Sequence, residues 1–214
     1  VLDRSGYFEV TTLSADDAKR SAMYRQNLER SQLEQSFGDY NDYLKSLDMN
    51  CQIGRFDAPH AERITQLINK TNQFNLTTRR FTQAQIEEAA QDPGRITLYG
   101  KLEDKFGDNG VVSVVMAQKD GKRAHIELWL MSCRVLKRDM EVAMMDELIG
   151  RCSRDGIDTL YGYYYPTAKN GMVKDFYARF GFEKVSQDAD GNTVWEYRIP
   201  DAYEGRNHVI EVER

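Results

Sequence analysis

Apolar side chains recur along this chain with a helical period at first, and with a strand period after about Asn50. A polar stretch opening at Ser14, with Asp16 and Asp17 in its first turn, predicts a helix over 14–35 whose narrow apolar face is Ala18, Ala22 and Leu28. Gly38 and Asp39 interrupt it, and Tyr40, Tyr43, Leu44 and Leu47 then repeat at the spacing of a second, shorter helix. Beyond it, 51–56 alternates as a strand, and Asp57 with Pro59 opens a helix carrying Ala61, Ile64, Leu67 and Ile68 on one face. Thr82 and Gln85 have capping-box spacing ahead of a helix to about Ala90, which Asp92-Pro93-Gly94 ends. Strands follow at 96–100 and 111–117, joined by a turn at 106–110, and Asp120-Gly121 predicts a hairpin into 124–131. The rest reads as helix 138–152, strand 157–165, helix 171–180, a hairpin of 182–185 with 193–199 around Asp190-Gly191, and a short strand at 208–212. Residues 1–13 have the texture of a strand and loop.

From 51 onward the order is strand, two helices, three meandering strands, helix, strand, helix, two strands. It predicts an α/β (α+β) domain with a mixed, mostly antiparallel sheet, helices on both faces, and a helical N-terminal extension. A parallel pair is expected where the fourth and fifth strands part to admit a ligand. The domain boundaries follow: 1–50 as a terminal strand and helical linker, 51–200 as the folded domain, 201–214 as a tail.

The 214 residues are 41% hydrophobic and 29% charged, a composition that folds. A net charge of −5 argues against a nucleic-acid backbone as partner. Cys51, Cys133 and Cys152 are widely spaced and odd in number, which suits a reducing compartment. No apolar run is long enough to span a bilayer, so a cytoplasmic location is expected. Val1 stands where a start methionine would, which suggests a piece of a larger protein. His60, His125 and His208 have no metal-ligand spacing, so no metal is expected.

Two blocks carry the chemistry. Lys70-Thr71-Asn72-Gln73-Phe74-Asn75-Leu76-Thr77-Thr78-Arg79-Arg80 is amide-rich and basic with two apolar anchors, and Leu130-Met131-Ser132-Cys133-Arg134-Val135-Leu136 follows half a domain later. Together they resemble the C-terminal half of the FkbH-like proteins, bacterial enzymes joining a haloacid-dehalogenase-type domain to an acetyltransferase-like (GNAT) domain. The resemblance covers nearly the whole chain. It implies a GNAT fold, a missing upstream dehalogenase-type domain to which residues 1–13 would belong, and an acyl carrier protein as partner in polyketide-type biosynthesis. The ligand it implies is an acyl-coenzyme A or the phosphopantetheine arm of that carrier.

In that fold the pantetheine and pyrophosphate lie where the fourth strand runs into the following helix, usually over Arg/Gln-x-x-Gly-x-Gly/Ala. The implied cofactor residues are Ser132, Cys133, Arg134, Val135, Lys137, Arg138 and Asn170. Counted from Arg134, the glycine positions hold Lys137 and Asp139. Shifted by two, the alignment preferred for the apolar helix that follows, they hold Asp139 and Glu141. In either register both glycines are missing and a carboxylate stands in the anion cradle. Asn170 with the run from Phe176 to Phe182 resembles the segment whose tyrosine, here Tyr177, protonates a leaving thiolate. Glu127 on the fourth strand is the candidate to drain an amine proton, and Cys133 beside Arg134 the candidate acyl relay. Asn72, Gln73, Asn75 and Arg79, with Arg80, are the candidate substrate contacts. Each has a plain counterpart: a half-buried aromatic, a salt-bridged glutamate, an inert thiol, amides that cap a loop. Two functions stay open, an acyltransferase handling a pantetheine-linked acyl group and a catalytically silent docking module.

Overall fold

A computed structural model describes residues 15–213 of the chain. The N-terminal strand and the Ser14 cap fall outside the described residues. Helix α1 (Ala15–Glu34) and α2 (Tyr40–Ser46) precede β1 (Met49–Gly54), α3 (Ala58–Lys70) and α4 (Gln83–Gln91). Next come β2 (Arg95–Asp104), β3 (Gly107–Asp120), β4 (Arg123–Met131), α5 (Met140–Arg154) and β5 (Thr159–Tyr164). The chain closes with α6 (Phe176–Arg179), β6 (Glu183–Gln187), β7 (Thr193–Arg198) and β8 (Ile210–Glu213). The eight strands form one sheet in the order β6-β7-β5-β4-β3-β2-β1-β8, parallel at β4–β5 and β1–β8 and antiparallel elsewhere.

Each cap sits where its residue chemistry places it. Asp57 accepts from the His60 amide ahead of α3, and Thr82 and Gln85 close the capping box of α4. α3 and α4 bury Ile64, Ile68 and Ile86 on one sheet face against Val114, Met116, Leu128 and Leu130. On the other face α5 lays Met140, Met144 and Leu148 over Leu98, Val112, Val115 and Trp129. Gly100 permits that approach, since a Cβ there would lie 2.1 Å from the Met140 Cε.

Several expectations need correction. The β2–β3 turn is not at 106–110: both strands run on, and Lys105-Phe106 alone connects them, with register shifts absorbed nearby. The helix expected over 171–180 breaks into a single 3₁₀ turn, Gly171–Val173, and the four-residue α6. α1 is not held by Leu28, which is 59% exposed. Its anchor is Arg30, whose guanidinium donates twice to Asp104 at 2.8 Å, while Arg138 donates to the same carboxylate at 2.9 Å. All three groups are buried, so α1, the end of β2 and the loop before α5 share one ionic knot. No helix among the described residues is long and apolar enough to cross a membrane.

Candidate functional site

β4 and β5 pair from Arg123↔Thr159 to Ile126↔Gly162 and then part. The gap is filled by the chain itself. Residues 74–77 leave the extended end of α3 at Thr71 and lie between the two strands. Leu76 N–H donates to Trp129 C=O at 3.0 Å, Met131 N–H donates to Phe74 C=O at 3.0 Å, and Tyr165 N–H donates to Leu76 C=O at 2.9 Å. Thr77 Oγ1 donates to Glu127 C=O at 2.8 Å, and Asn75 forms an antiparallel bridge with Leu130. This strap is held by its alternation. Phe74 and Leu76 enter the α5-side core, Phe74 edge-on to Phe176 at 5.6 Å. Asn75 is fully buried, donating to Thr71 C=O at 3.2 Å and accepting from Thr78 N–H at 2.9 Å.

Asn170, expected to touch a cofactor, latches the strap instead. Its Nδ2 donates to Asn75 C=O and Tyr165 C=O, each at 2.9 Å, and its Oδ1 accepts from Thr167 N–H at 2.7 Å. The expected substrate contacts are likewise used internally. Asn75 lies in the strap, Arg79 donates to Glu127 at 3.0 Å, and Arg80 caps the end of α3 through Ile68 C=O, Thr71 C=O and the Asn72 side chain. Of these four candidates Asn72 and the exposed Gln73 line a cleft, described below.

The cradle keeps its shape without its glycines. After a 3₁₀ turn at Cys133–Val135, in which Ser132 Oγ accepts from Arg134 N–H, Lys137 has φ 64° and Asp139 φ 58°. Both occupy the left-handed region that favours glycine. The register counted from Arg134 has both of its glycine positions in this region, the shifted register only Asp139, since Glu141 is helical. Arg138 is in the buried knot with Asp104 and not at the surface, Val135 is core, and exposed Lys137 gives its carbonyl to the Tyr40 hydroxyl at 2.7 Å. Glu141, in the first turn of α5, is 3% exposed. Burial raises its pKa; Arg179 opposes this from 3.5 Å, and Oε2 has no partner. A cleft of about 530 Å³ in front of this turn includes Asp139, Glu141, Asp175 and Glu34 among its lining.

The three catalytic candidates are not brought together. Tyr177 is fully buried, its ring against Gly162 where β4 and β5 part, and a Cβ at Gly162 would come within 2.3 Å of that ring. Burial raises its phenol far above the ordinary range, and Tyr163 main chain approaches the hydroxyl without completing a hydrogen bond. Glu127 accepts from Arg79 at 3.0 Å and Arg95 at 2.7 Å, so it is an ion-paired residue. A bulge explains its placement: Met116 pairs with Leu128 and Ala117 with Ile126. Glu127 and Leu128 thus share the α3–α4 side, whereas Trp129, expected on the face of Glu127, lies in the α5-side core. Cys133 is exposed, against the expectation of an inert, buried thiol.

Two features were not singled out in the sequence. His125 and Tyr163 hydrogen-bond at 2.7 Å, with Tyr161 stacked on His125 at 5.1 Å and bonded to Glu196 at 2.6 Å. The strand alternation of Tyr161, Tyr163 and Tyr165 was the available signal. The second is a cleft of about 890 Å³ between the end of α3 and the exit of β4. Arg63, Lys70, Arg134 and Lys169 line it over a floor of Leu67, Phe74 and Met131. Among the described residues no group of His, Cys, Asp or Glu is arranged to hold a metal ion.

No protein-family sequence model matches this chain, and no curated protein matches it by sequence. Solved structures do match its fold. The ribosomal-protein-S18-alanine N-acetyltransferase of Escherichia coli aligns with TM-score 0.53 and 12% identity over 74% of this chain and 99% of that one. A GNAT-family acetyltransferase from Staphylococcus aureus gives 0.53 and 12% over 70% and 99%. The PaiA N-acetyltransferase of Thermoplasma acidophilum, solved with coenzyme A, gives 0.50 and 12% over 70% and 99%. At these identities the shared property is the fold: this chain has that of the GNAT acetyltransferases.

Proposed function

We propose that this chain handles a pantetheine-linked acyl group carried by an acyl carrier protein, and does so as a docking module. The observation that carries the reading is the strap. Trp129 C=O and Met131 N–H, the main-chain groups that β4 would offer an arm in the gap, are already bonded to Leu76 and Phe74. At the helix end the chain supplies its own anion, the buried Glu141 carboxylate, beside Asp139. A pyrophosphate there would meet like charge in a partly dry site, where repulsion is strong. As folded, the gap and the start of α5 do not fit coenzyme A. The fold's neighbours and the two sequence blocks support placing the chain as the GNAT-like half of an FkbH-like protein in the cytoplasm, beside an upstream dehalogenase-type domain, with a glyceryl-type unit as the acyl group.

Calorimetric titration tests this. A phosphopantetheinylated carrier is expected to bind more tightly than acetyl-coenzyme A. Heat from acetyl-coenzyme A with none from the carrier would overturn the reading. One observation favours a second reading, a latent acyltransferase. Tyr177 presents an unbonded, fully buried hydroxyl at the point where the strands part, where a leaving thiolate would need a proton if the strap withdrew. A Leu76→Gly, Asn170→Ala variant that gains acetyl transfer, and loses it again with Tyr177→Phe, would establish that reading in place of the first.

A further inference from the structure

The cleft at the end of α3 is chemically unlike the rest of the molecule. The chain carries a net charge of −5, yet Arg63, Lys70, Arg134 and Lys169 converge there and none of the described lining residues is acidic. Arg63, Lys70 and Lys169 make no ion pair among the described residues. Arg134 is braced by its Nε, which donates to Ser132 Oγ at 3.2 Å. It is half-buried, and burial and the Arg63 charge facing it hold its pKa below the ordinary guanidinium value. Packing the Arg63 guanidinium with the Lys70 and Lys169 ammonium groups around one space costs electrostatic energy that an anion would offset. A carboxylate would compensate this cluster less fully than a phosphate, which also offers several acceptor oxygens to forked guanidinium donors. Below the cations the floor is apolar, formed by Leu67, Phe74 and Met131, with the Gln66 and Gln73 amides beside it. An apolar floor flanked by amides matches a chain in which methylenes alternate with amide groups.

We infer that this cleft binds the phosphate of a phosphopantetheine arm, with the arm lying over the Leu67–Phe74–Met131 floor toward Cys133. The inference rests on the docking reading above and names where the arm goes once the gap between β4 and β5 is closed to it. The phosphate is the shared chemistry of two sources, an arm borne by a carrier protein and the same arm free.

Cys133 provides the measurement. Of the three cysteines in the sequence, Cys51 and Cys152 are buried and their thiols are pushed up to about 12, whereas Cys133 is exposed in this cleft. In the intact chain near neutral pH, with each rate divided by that of the same reagent toward a small free thiol, a dianionic aromatic disulfide should show a several-fold preference over a neutral dipyridyl disulfide for one thiol, and added salt should erase it. Free 4′-phosphopantetheine should protect Cys133 at a concentration about tenfold lower than pantetheine lacking the phosphate. Arg63→Gln with Lys70→Gln, both on the surface of α3, should abolish that preference without lowering the melting temperature appreciably. Equal protection by the two arms, no preference for the anionic reagent, or a preference untouched by the double variant would overturn the inference. The outcomes also separate the two proposals. Protection by the free phosphorylated arm but not by the loaded carrier keeps the cleft and removes the docking reading. Protection by the carrier that the double variant leaves intact keeps docking and removes the phosphate site.

Discussion

At the scale of single residues, the loop before α5 holds a shape made for glycine with residues that dislike it. Lys137 and Asp139 sit at φ 64° and 58°, a conformation that costs an L-residue about 1 kcal/mol relative to glycine. Lys137→Gly and Asp139→Gly should therefore each raise stability by up to about 1 kcal/mol, reduced by the extra freedom glycine gives the unfolded chain. Urea denaturation checks the sign. Neither position is legible as strained from the sequence, because torsion is set by the chain's exit from β4 and by Tyr40 bonding to Lys137 C=O, a contact ninety-seven residues apart in sequence. Glu141 makes a second prediction. Its carboxyl is shifted up from 4.5, chiefly by burial. A group whose folded pKa lies above its unfolded one supports the fold while protonated, and that support is lost as pH rises through the raised value. Glu141→Gln should thus be more stable than the parent chain at neutral pH, with the gain vanishing as pH falls below about 4.5, the unfolded value. Melting curves across that range would refute it if the gain were the same at every pH.

At the scale of elements, periodicity was enough for α2 to α5 and for most strands, because burial on one face writes itself into local sequence; it failed over 171–180, which breaks into a 3₁₀ turn and the short α6. The caps at Asp57 and Thr82 were equally visible. What escaped was every non-local use of a local motif. The run around Phe74 and Leu76 was legible as apolar anchors in a polar loop, and its period of two is that of a strand. Nothing in the run itself says that its partners are Trp129, Met131 and Tyr165. The same is true of Arg30 and Arg138, each an ordinary surface cation until Asp104 is brought between them. These latches can be measured. Asp104→Ala leaves two buried guanidinium groups uncompensated and should cost about 3–5 kcal/mol, releasing α1. Asn170→Ala removes the donor to one buried and one part-buried carbonyl and the acceptor for Thr167, a loss of about 2–3 kcal/mol. Hydrogen exchange locates the second effect: the Leu76, Met131 and Tyr165 amides should lose protection together, while those of β2 and β3 keep theirs. Uniform loss across the sheet would mean that Asn170 supports the whole fold and not the strap.

At the scale of the molecule, the fold shared with the acetyltransferases encloses a gap that the chain itself fills. The sheet order, the parallel β4–β5 pair, the bulge at Glu127 and the buried Tyr177 are in place. The gap itself holds residues 74–77, and the helix end before it holds Glu141. The two features act in one direction, since a strap bonded to both strands stabilises the closed sheet and a buried carboxylate penalises any arriving anion. The consequence for the intact protein is a linkage prediction. A ligand that binds only the folded state at a hundred times its Kd adds about 2.7 kcal/mol to unfolding. Entry of acetyl-coenzyme A into the gap would first require breaking the Leu76, Met131 and Tyr165 hydrogen bonds and exposing Phe74 and Leu76, so in the Arg63→Gln, Lys70→Gln chain, where the cleft at the end of α3 is disabled, a large excess should leave the melting temperature unchanged. Adding Leu76→Gly and Asn170→Ala to that chain removes part of the cost, and a ligand-dependent rise is expected only then. A rise in the Arg63→Gln, Lys70→Gln chain with its strap intact would mean that the strap opens readily and that the closed gap is one state of a working site.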